Sequence, residues 1–341
     1  MSALAAPNVV PGVYLKSCLG PFEAALARPD VTDIFVNRPG EMWIETLGGT
    51  VERHDDPAVT EISLARLARQ IAALTHQGVS REHPLLAAVL PDGSRIQVVA
   101  PPATRGPLAL AIRRQVAASL SLQDYVAAGQ FEETRSGPGR SAHDDELHEL
   151  VRARDFASAL SLAVRARKNI VVSGGTSTGK TTFLNALLRE VPADERLILI
   201  EDTPELVVEH ENSIGLVSVR GELGEARVST NDLVSASLRM RPDRIILGEL
   251  RGVEAFAFLR AINTGHPGSM TTIHADSSES AIEQLVLLVL DGGTRLGRED
   301  VRHYVRHSLD MFVQLARDGG RRRVEAVVLS EALAAREDQG R

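Results

Sequence analysis

The sequence predicts an α/β fold: a largely parallel sheet covered by helices, preceded by a smaller α+β domain. Three observations predict it. From Leu147 onward, short apolar strands alternate with helix-period segments, the pattern of a parallel sheet buried on both faces. Before residue 128, short strands joined by tight turns surround one clear amphipathic helix. Between them, Gly129 to Asp145 carries Arg135-Ser136-Gly137-Pro138-Gly139-Arg140-Ser141 and almost no apolar residue, so 129–146 reads as a flexible linker.

Taken in order, Val31 to Val36 and Glu41 to Glu45 read as strands around the turn Asn37-Arg38-Pro39-Gly40. Ser63 to Leu74 places Leu64, Leu67, Ala68, Ile71 and Leu74 on one helical face. Leu86 to Leu90, Arg95 to Ala100 and Leu108 to Arg113 complete the first domain as strands. Beyond the linker, Leu147 to Ala166 reads as one helix, Asn169 to Ser173 as a buried strand and Thr181 to Glu190 as a helix. The strand Arg196 to Glu201, helix Thr230 to Met240, strand Arg244 to Gly248, helix Val253 to Asn263 and strand Met270 to His274 continue the alternation. Two helices, Ser277 to Leu290 and Arg298 to Ser308, precede a hairpin of Met311 to Leu315 and Arg323 to Leu329 around Asp318-Gly319-Gly320.

Composition narrows the classes. A chain of 341 residues with 43% hydrophobic and 24% charged residues is an ordinary two-domain globular protein. No stretch approaches the ~18 apolar residues of a membrane span, and the first residues lack a secretory signal, so a cytoplasmic place is expected, with a membrane surface as a further contact. The single cysteine, Cys18, excludes an internal disulfide and a Cys-rich zinc site, and it reads as a buried small apolar side chain. With 45 acidic against 38 basic residues, nothing global points to sequence-specific nucleic-acid binding. Lysine occurs only at positions 16, 168 and 180, so each lysine invites its own explanation.

Gly174-Gly175-Thr176-Ser177-Thr178-Gly179-Lys180-Thr181, followed by Thr182, matches the phosphate-binding loop and lies between a buried strand and a helix start. Glycines let backbone N–H groups converge on phosphate oxygens, and the helix N-terminus adds partial positive charge. Lys180 then reaches the β and γ phosphates, and the Thr181 hydroxyl binds Mg²⁺. Ile245-Ile246-Leu247-Gly248-Glu249 is an apolar strand ending in a carboxylate. In a parallel sheet it falls beside the loop, where Glu249 would hold Mg²⁺ or orient water.

Four motifs in order resemble those of the secretion superfamily ATPases, most closely the hexameric traffic ATPases of bacterial type IV secretion systems. They are the phosphate loop, the acidic box Ile200 to Leu206, the segment Leu238 to Gly252, and the histidine box Thr264 to Ala275. Thr32 to Asn37 and Gly93 to Gln97 resemble the family's first domain more loosely. The resemblance implies a RecA-like parallel-sheet P-loop ATPase domain over 147–335, an α+β domain over 1–128 and a polar tail over 336–341. It implies ATP and Mg²⁺ at the site, a homo-hexamer, and partners among the inner-membrane components of a secretion machine. Glu205 is implied as the catalytic carboxylate, with Glu201 and Asp202 in support. His266 is implied as the γ-phosphate sensor, whereas His274 stays open between a site role and a structural one. Arg95 and Arg113 match arginines that the family brings from its first domain, and Arg241 and Arg251 are candidates within the second. Relatives often carry Gly where this chain has Ser177, a change tolerated if φ there is negative.

Other functions remain open at this point. A small-molecule phosphotransferase also uses the loop but needs neither Glu205 nor the histidine box. A nucleotide-dependent scaffold would bind ATP with little turnover. Type IV pilus and type II secretion motors are the runner-up enzymes; the assembly motors usually carry a four-cysteine metal site, which one cysteine cannot make.

Overall fold

The computed structural model describes residues 13–116, 121–132, 134, 142–207, 209–219 and 225–333; the expected tail over 336–341 and part of the expected linker over 129–146 lie outside these. The chain begins with α1 (Val13–Cys18), α2 (Glu23–Ala27), β1 (Val31–Val36), β2 (Glu41–Thr46), β3 (Val51–Asp55), α3 (Glu61–Leu74), β4 (Leu85–Val89), β5 (Arg95–Val99) and β6 (Ala109–Arg113). There follow α4 (Leu122–Ala127), α5 (Ala142–Arg152), α6 (Phe156–Arg165), β7 (Ile170–Gly174), α7 (Lys180–Leu188), β8 (Leu197–Glu201), β9 (Ser213–Val217) and α8 (Thr230–Ser237). The last elements are β10 (Arg244–Leu247), α9 (Glu254–Asn263), β11 (Met270–Ile273), α10 (Ser278–Asp291), α11 (Arg298–Ser308), β12 (Met311–Asp318) and β13 (Arg321–Leu329).

Packing divides the chain into two compact units, Met1–Gln115 with Arg196–Pro204 and Asn212–Pro242, and Val116–Glu195 with Glu205–Glu211 and Asp243–Arg341. In the first unit six antiparallel strands run in the order β3-β2-β1-β6-β5-β4. Helix α3 starts at Thr60, whose hydroxyl accepts from the Ser63 N–H while Ser63 Oγ accepts from the Thr60 N–H, satisfying two donors at the helix start. Its Leu64, Leu67 and Ile71 share one core with Ile34, Ile44, Ile96, Leu110 and Ile112. Cys18 packs at the margin of this core and is half-buried, less enclosed than expected. Strands β8 and β9 pair in parallel in the same unit, with Leu199 opposite Gly215 and Glu201 opposite Val217.

In the second unit the strands run in the order β13-β12-β7-β11-β10. Strands β12, β7, β11 and β10 are parallel neighbours, and β13 closes the edge as the antiparallel arm of a hairpin. Met270 stands opposite both Ile170 and Ile246, so the C-terminal ends of β7, β10 and β11 reach one edge together. The other edge is tied by Asn169. Its Oδ1 accepts from the N–H groups of Gly268 and Ser269 at 2.9 and 3.2 Å, and its own N–H donates to Asp310 at 2.8 Å. Lys168 lies at that same edge, 2.5 Å from Asp144 and 3.7 Å from Asp310, which accounts for this lysine as a structural ion pair.

Some elements depart from the expected pattern. The helix expected over Leu147 to Ala166 is two helices, α5 and α6, because Arg154 turns to φ 62° and the Asp155 carboxylate accepts from Ser158 N–H at 3.2 Å, starting a new helix. Strand β3, Val-Glu-Arg-His-Asp, carries no apolar alternation and is held by backbone pairing to β2, its charges blunting a sheet edge. Strand β9 has Gly215 at its centre, which weakens the strand signal.

Arg244 opens β10 fully buried, and Glu195 receives its guanidinium on two oxygens at 2.5 and 2.8 Å. The carbonyl of Val164 accepts a third bond at 2.7 Å. A buried ion pair is expensive to break from one side only, because the surviving charge stays out of water. Glu195→Ala is therefore expected to lower the unfolding free energy by about 3–5 kcal/mol, read as a shift in denaturant midpoint. A change within 1 kcal/mol, roughly that of an exposed pair, would contradict this role.

Candidate active site

The phosphate-type loop joins the end of β7 to the start of α7, as the physics of anion binding requires. A side chain at Gly174 would meet Thr178 Oγ1 at 2.5 Å and the Leu315 carbonyl oxygen at 2.9 Å, so only glycine fits between β7 and its neighbour β12. Gly179 takes φ 94° immediately before the helix, a conformation that disfavours other residues. Thr178 Oγ1 donates to the Gly175 carbonyl at 2.9 Å, folding the loop on itself. Thr176, Ser177 and Thr182 are exposed along this turn, and Thr181 is half-buried in the first turn of α7.

Ser177 overturns one expectation. Its φ is 61°, in the left-handed region, so the condition set for tolerating serine is not met. The loop must reverse direction here, and the strain on a residue with a Cβ is about 1–2 kcal/mol. Arg322 Nε donates to the Ser177 carbonyl at 3.1 Å and fixes the turn.

Lys180 is buried at the head of α7. Its ammonium donates to the carbonyls of Gly174 and Gly175 at 3.0 and 3.1 Å and stands 3.3 Å from His274 Nδ1. Burial holds the lysine pKa below its ordinary value, against the pull of Glu249. An ammonium only donates, so Nδ1 of His274 accepts and the ring proton sits on Nε2. That Nε2 lies 2.8 Å from Glu249 Oε1, while Arg251 lies 2.5 Å from Glu249 Oε2. Four side chains from three loops thus form one chain of alternating charge and dipole at the edge where β7, β10 and β11 end. Glu249 Oε1 is buried, and beyond its 2.8 Å contact with His274 it has a second lone pair with acceptor capacity for a hard cation. The Thr181 hydroxyl, in the first turn of α7, is a hard oxygen donor of the same kind.

The two histidines of the box lie at opposite ends of β11. His274 stands opposite Gly174 by continuation of the register, whereas His266 precedes the strand at the Asn169 edge. The histidine next to the loop is therefore His274, and the geometry does not bring His266 to Lys180. Glu205 is exposed, and its carbonyl accepts from Asn185 Nδ2 of α7 at 3.3 Å; Asn185 Oδ1 in turn accepts from the Val207 N–H at 2.9 Å. Asn185 fastens the acidic-box segment to α7, a role no motif announced. Beneath the loop, Ser173 Oγ donates to Gln314 Oε1 at 2.5 Å and Gln314 Nε2 donates to the Ala275 carbonyl at 3.2 Å, steadying the residue after His274.

The remaining candidates belong to the first unit. Arg95 and Arg113 stand directly opposite each other on β5 and β6, both exposed. Asp33 faces Arg113 from β1 at 4.0 Å; burial raises its carboxyl pKa, and Arg113 opposes that rise. Glu201 is buried at the end of β8 and forms an ion pair with Arg105. Arg241, at φ 55°, donates to Glu45 Oε1 of β2 at 2.6 Å. Asp202 accepts from Ser218 Oγ at 2.6 Å. Among the described residues no helix is long and apolar enough to cross a membrane, and no group of three His, Cys, Asp or Glu side chains could hold a metal.

Comparison with known proteins gives one consistent answer. The profile of the type II/IV secretion system protein family matches residues 18–318. The type IV secretion system protein VirB11 of Bartonella henselae is 38% identical over 326 residues, covering 91% of each chain. The type IV secretion system protein PtlH of Bordetella pertussis is 38% identical over 319 residues, covering 91% of this chain and 93% of its own. The crystal structure of the VirB11 ATPase from the Brucella suis type IV secretion system, in complex with sulphate, superposes with a TM-score of 0.87 at 35% identity, covering 93% of this chain and 98% of that one.

The strain at Ser177 is testable by itself. Ser177→Gly removes the Cβ from a left-handed position and is expected to raise stability by up to about 1 kcal/mol, the gain being offset in part by the freer unfolded chain. Equilibrium denaturation of the purified variant reads this directly, and a loss of stability would contradict the strained turn.

Proposed function

The chain belongs to the type II/IV secretion system protein family and is an ATPase of type IV secretion, and from that premise we propose a ring-forming, Mg²⁺-dependent motor. It works at the cytoplasmic face of the inner membrane, against inner-membrane components of the secretion machine. The observation that carries the site assignment is the chain Lys180, His274, Glu249 and Arg251 beside a loop in which Gly174 admits no side chain.

In this reading the loop from Gly174 to Thr182 cradles the phosphates of ATP, and Lys180 contacts the β and γ phosphates. Thr181 and Glu249 hold the divalent cation, which supplies charge neutralisation at the phosphoryl oxygens. Glu205 orients the attacking water and accepts its proton. His274, with its proton fixed on Nε2, links the lysine to Glu249 and takes the sensing place that resemblance implied for His266. Arg251 sets Glu249, and Glu201 and Arg241 keep the nucleotide-binding roles that the resemblance implies for them. Arg95 and Arg113 put two like charges opposite each other across a strand pair, an arrangement that an anion between them stabilises. The expected domains 1–128 and 147–335 are the two parts whose motion the motor transmits.

Lys180→Ala is expected to abolish ATP turnover with the fold intact. His274→Ala should reduce turnover about ten- to hundredfold, the equivalent of one charged hydrogen bond worth about 1.5–3 kcal/mol. Steady-state phosphate release by both purified variants checks this, and a parental rate for Lys180→Ala would overturn the nucleotide assignment.

The ring is tested separately. Light scattering with ATP and Mg²⁺ should give a mass near six protomers. A strict monomer at micromolar concentration under every nucleotide condition would refute it.

A further inference from the structure

Glu201 closes β8 inside the acidic box, four residues before Glu205, and is 4% exposed. A carboxylate so far from water is costly unless a cation meets it. The cation comes from the segment between β5 and β6. Arg105 N–H donates to the Gly215 carbonyl and Val217 N–H donates to the Ala103 carbonyl, both at 2.9 Å, so residues 103–105 run antiparallel to β9 about a single bridge between Thr104 and Leu216. Thr104 Oγ1 locks the following turn through the carbonyls of Gly106 and Pro107 at 2.6 and 3.1 Å. Ala103 is fully buried under it.

The route of the side chain is equally specific. Gly215 stands opposite Leu199, two residues before Glu201 on the neighbouring strand. A Cβ at Gly215 would collide with Cγ, Cδ and Nε of Arg105, so the arginine crosses β9 where the strand has no side chain and ends on Glu201. The backbone of Glu201 is held independently, its carbonyl accepting from Ser218 N–H at 2.8 Å. Glycine in mid-strand is unfavourable for the strand itself. Its presence here is explained by the arginine that passes over it.

We infer that Arg105 is a positioning residue of the ATPase, holding the Glu201 carboxylate at the end of β8 in the orientation that turnover uses. The inference rests on the ATPase reading and adds a residue to it. Burial on this scale would also serve the fold, so the test must separate the two roles.

The experiment is a double-mutant cycle on the full chain with steady-state ATP hydrolysis, KM for ATP and thermal unfolding measured for each form. Arg105→Gln is expected to lower kcat at least about tenfold with KM within about twofold, and Arg105→Lys to recover most of the loss. Placed on Glu201→Gln, the same Arg105→Gln change should cost less than about twofold, because the carboxylate it positions is gone. If Arg105→Gln alone does not fold, the double variant still carries the test, since removing both charges leaves none buried alone. Its turnover should then equal that of Glu201→Gln. Equal losses on both backgrounds, or parental kcat in folded Arg105→Gln, would overturn the role of Arg105. An absence of ATP turnover in the parent chain would instead overturn the reading on which it rests.

Discussion

The site depends on one ammonium group withdrawn from water. Lys180 is buried at the start of α7, and a buried cation demands acceptors. The Gly174 and Gly175 carbonyls provide two, and His274 a third. That requirement dictates the parallel register of β7 with β11, since a shift by one residue would carry His274 to the wrong face. It also calls for a negative charge within reach, and Glu249 arrives at the end of β10 to give it. Each partner is fixed in turn by a neighbour, Glu249 by Arg251 and the His274 segment by Gln314. The chemistry expected of the loop and the packing of the sheet therefore have one electrostatic origin.

Much of this was legible in the chain itself, for identifiable reasons. The buried strands β7, β8, β10 and β11 are runs of apolar residues ended by turn formers, and the loop between β7 and α7 has a spacing that few other structures require. What stayed hidden depends on contacts distant in sequence. That His274 lies beside the loop depends on the register of β11 against β7, which no local pattern contains. The break between α5 and α6 escaped because apolar periodicity continues through it while Asp155 silently caps a new helix. Strand β9 was masked by Gly215, a residue explained only by the arginine above it. Ser177 was read as harmless on the assumption of a negative φ, and the turn imposes the opposite sign.

Arginine dominates the polar architecture, and the reasons differ from place to place. Arg244 grips Glu195 through a planar fork that lysine lacks, and Arg241 donates to Glu45. Arg196 goes further, resting over the Phe35 ring at 4.1 Å while donating to Asn37 at 2.7 Å and to the Met240 carbonyl at 3.0 Å. The two lysines placed in the second unit occupy sites where a compact charge is wanted, one between carboxylates at the base of β7 and one at the head of α7. The scarcity of lysine in the composition is thus informative at the level of single positions.

The contact of Gly174 with the Leu315 carbonyl, and of Arg322 with the Ser177 carbonyl, means that the walls of the loop come from the final hairpin. Strand β7 is central in its sheet, yet both of its neighbours, β11 and β12, are synthesised long after it. During translation the loop emerges early without the surfaces that shape it, and such non-local pairing is slow to form. A nascent chain on the ribosome therefore holds its nucleotide motif in an unfinished state until the C-terminal strands are released. The loop takes its final shape last, when the closing hairpin lays β12 beside β7 and brings Arg322 to Ser177.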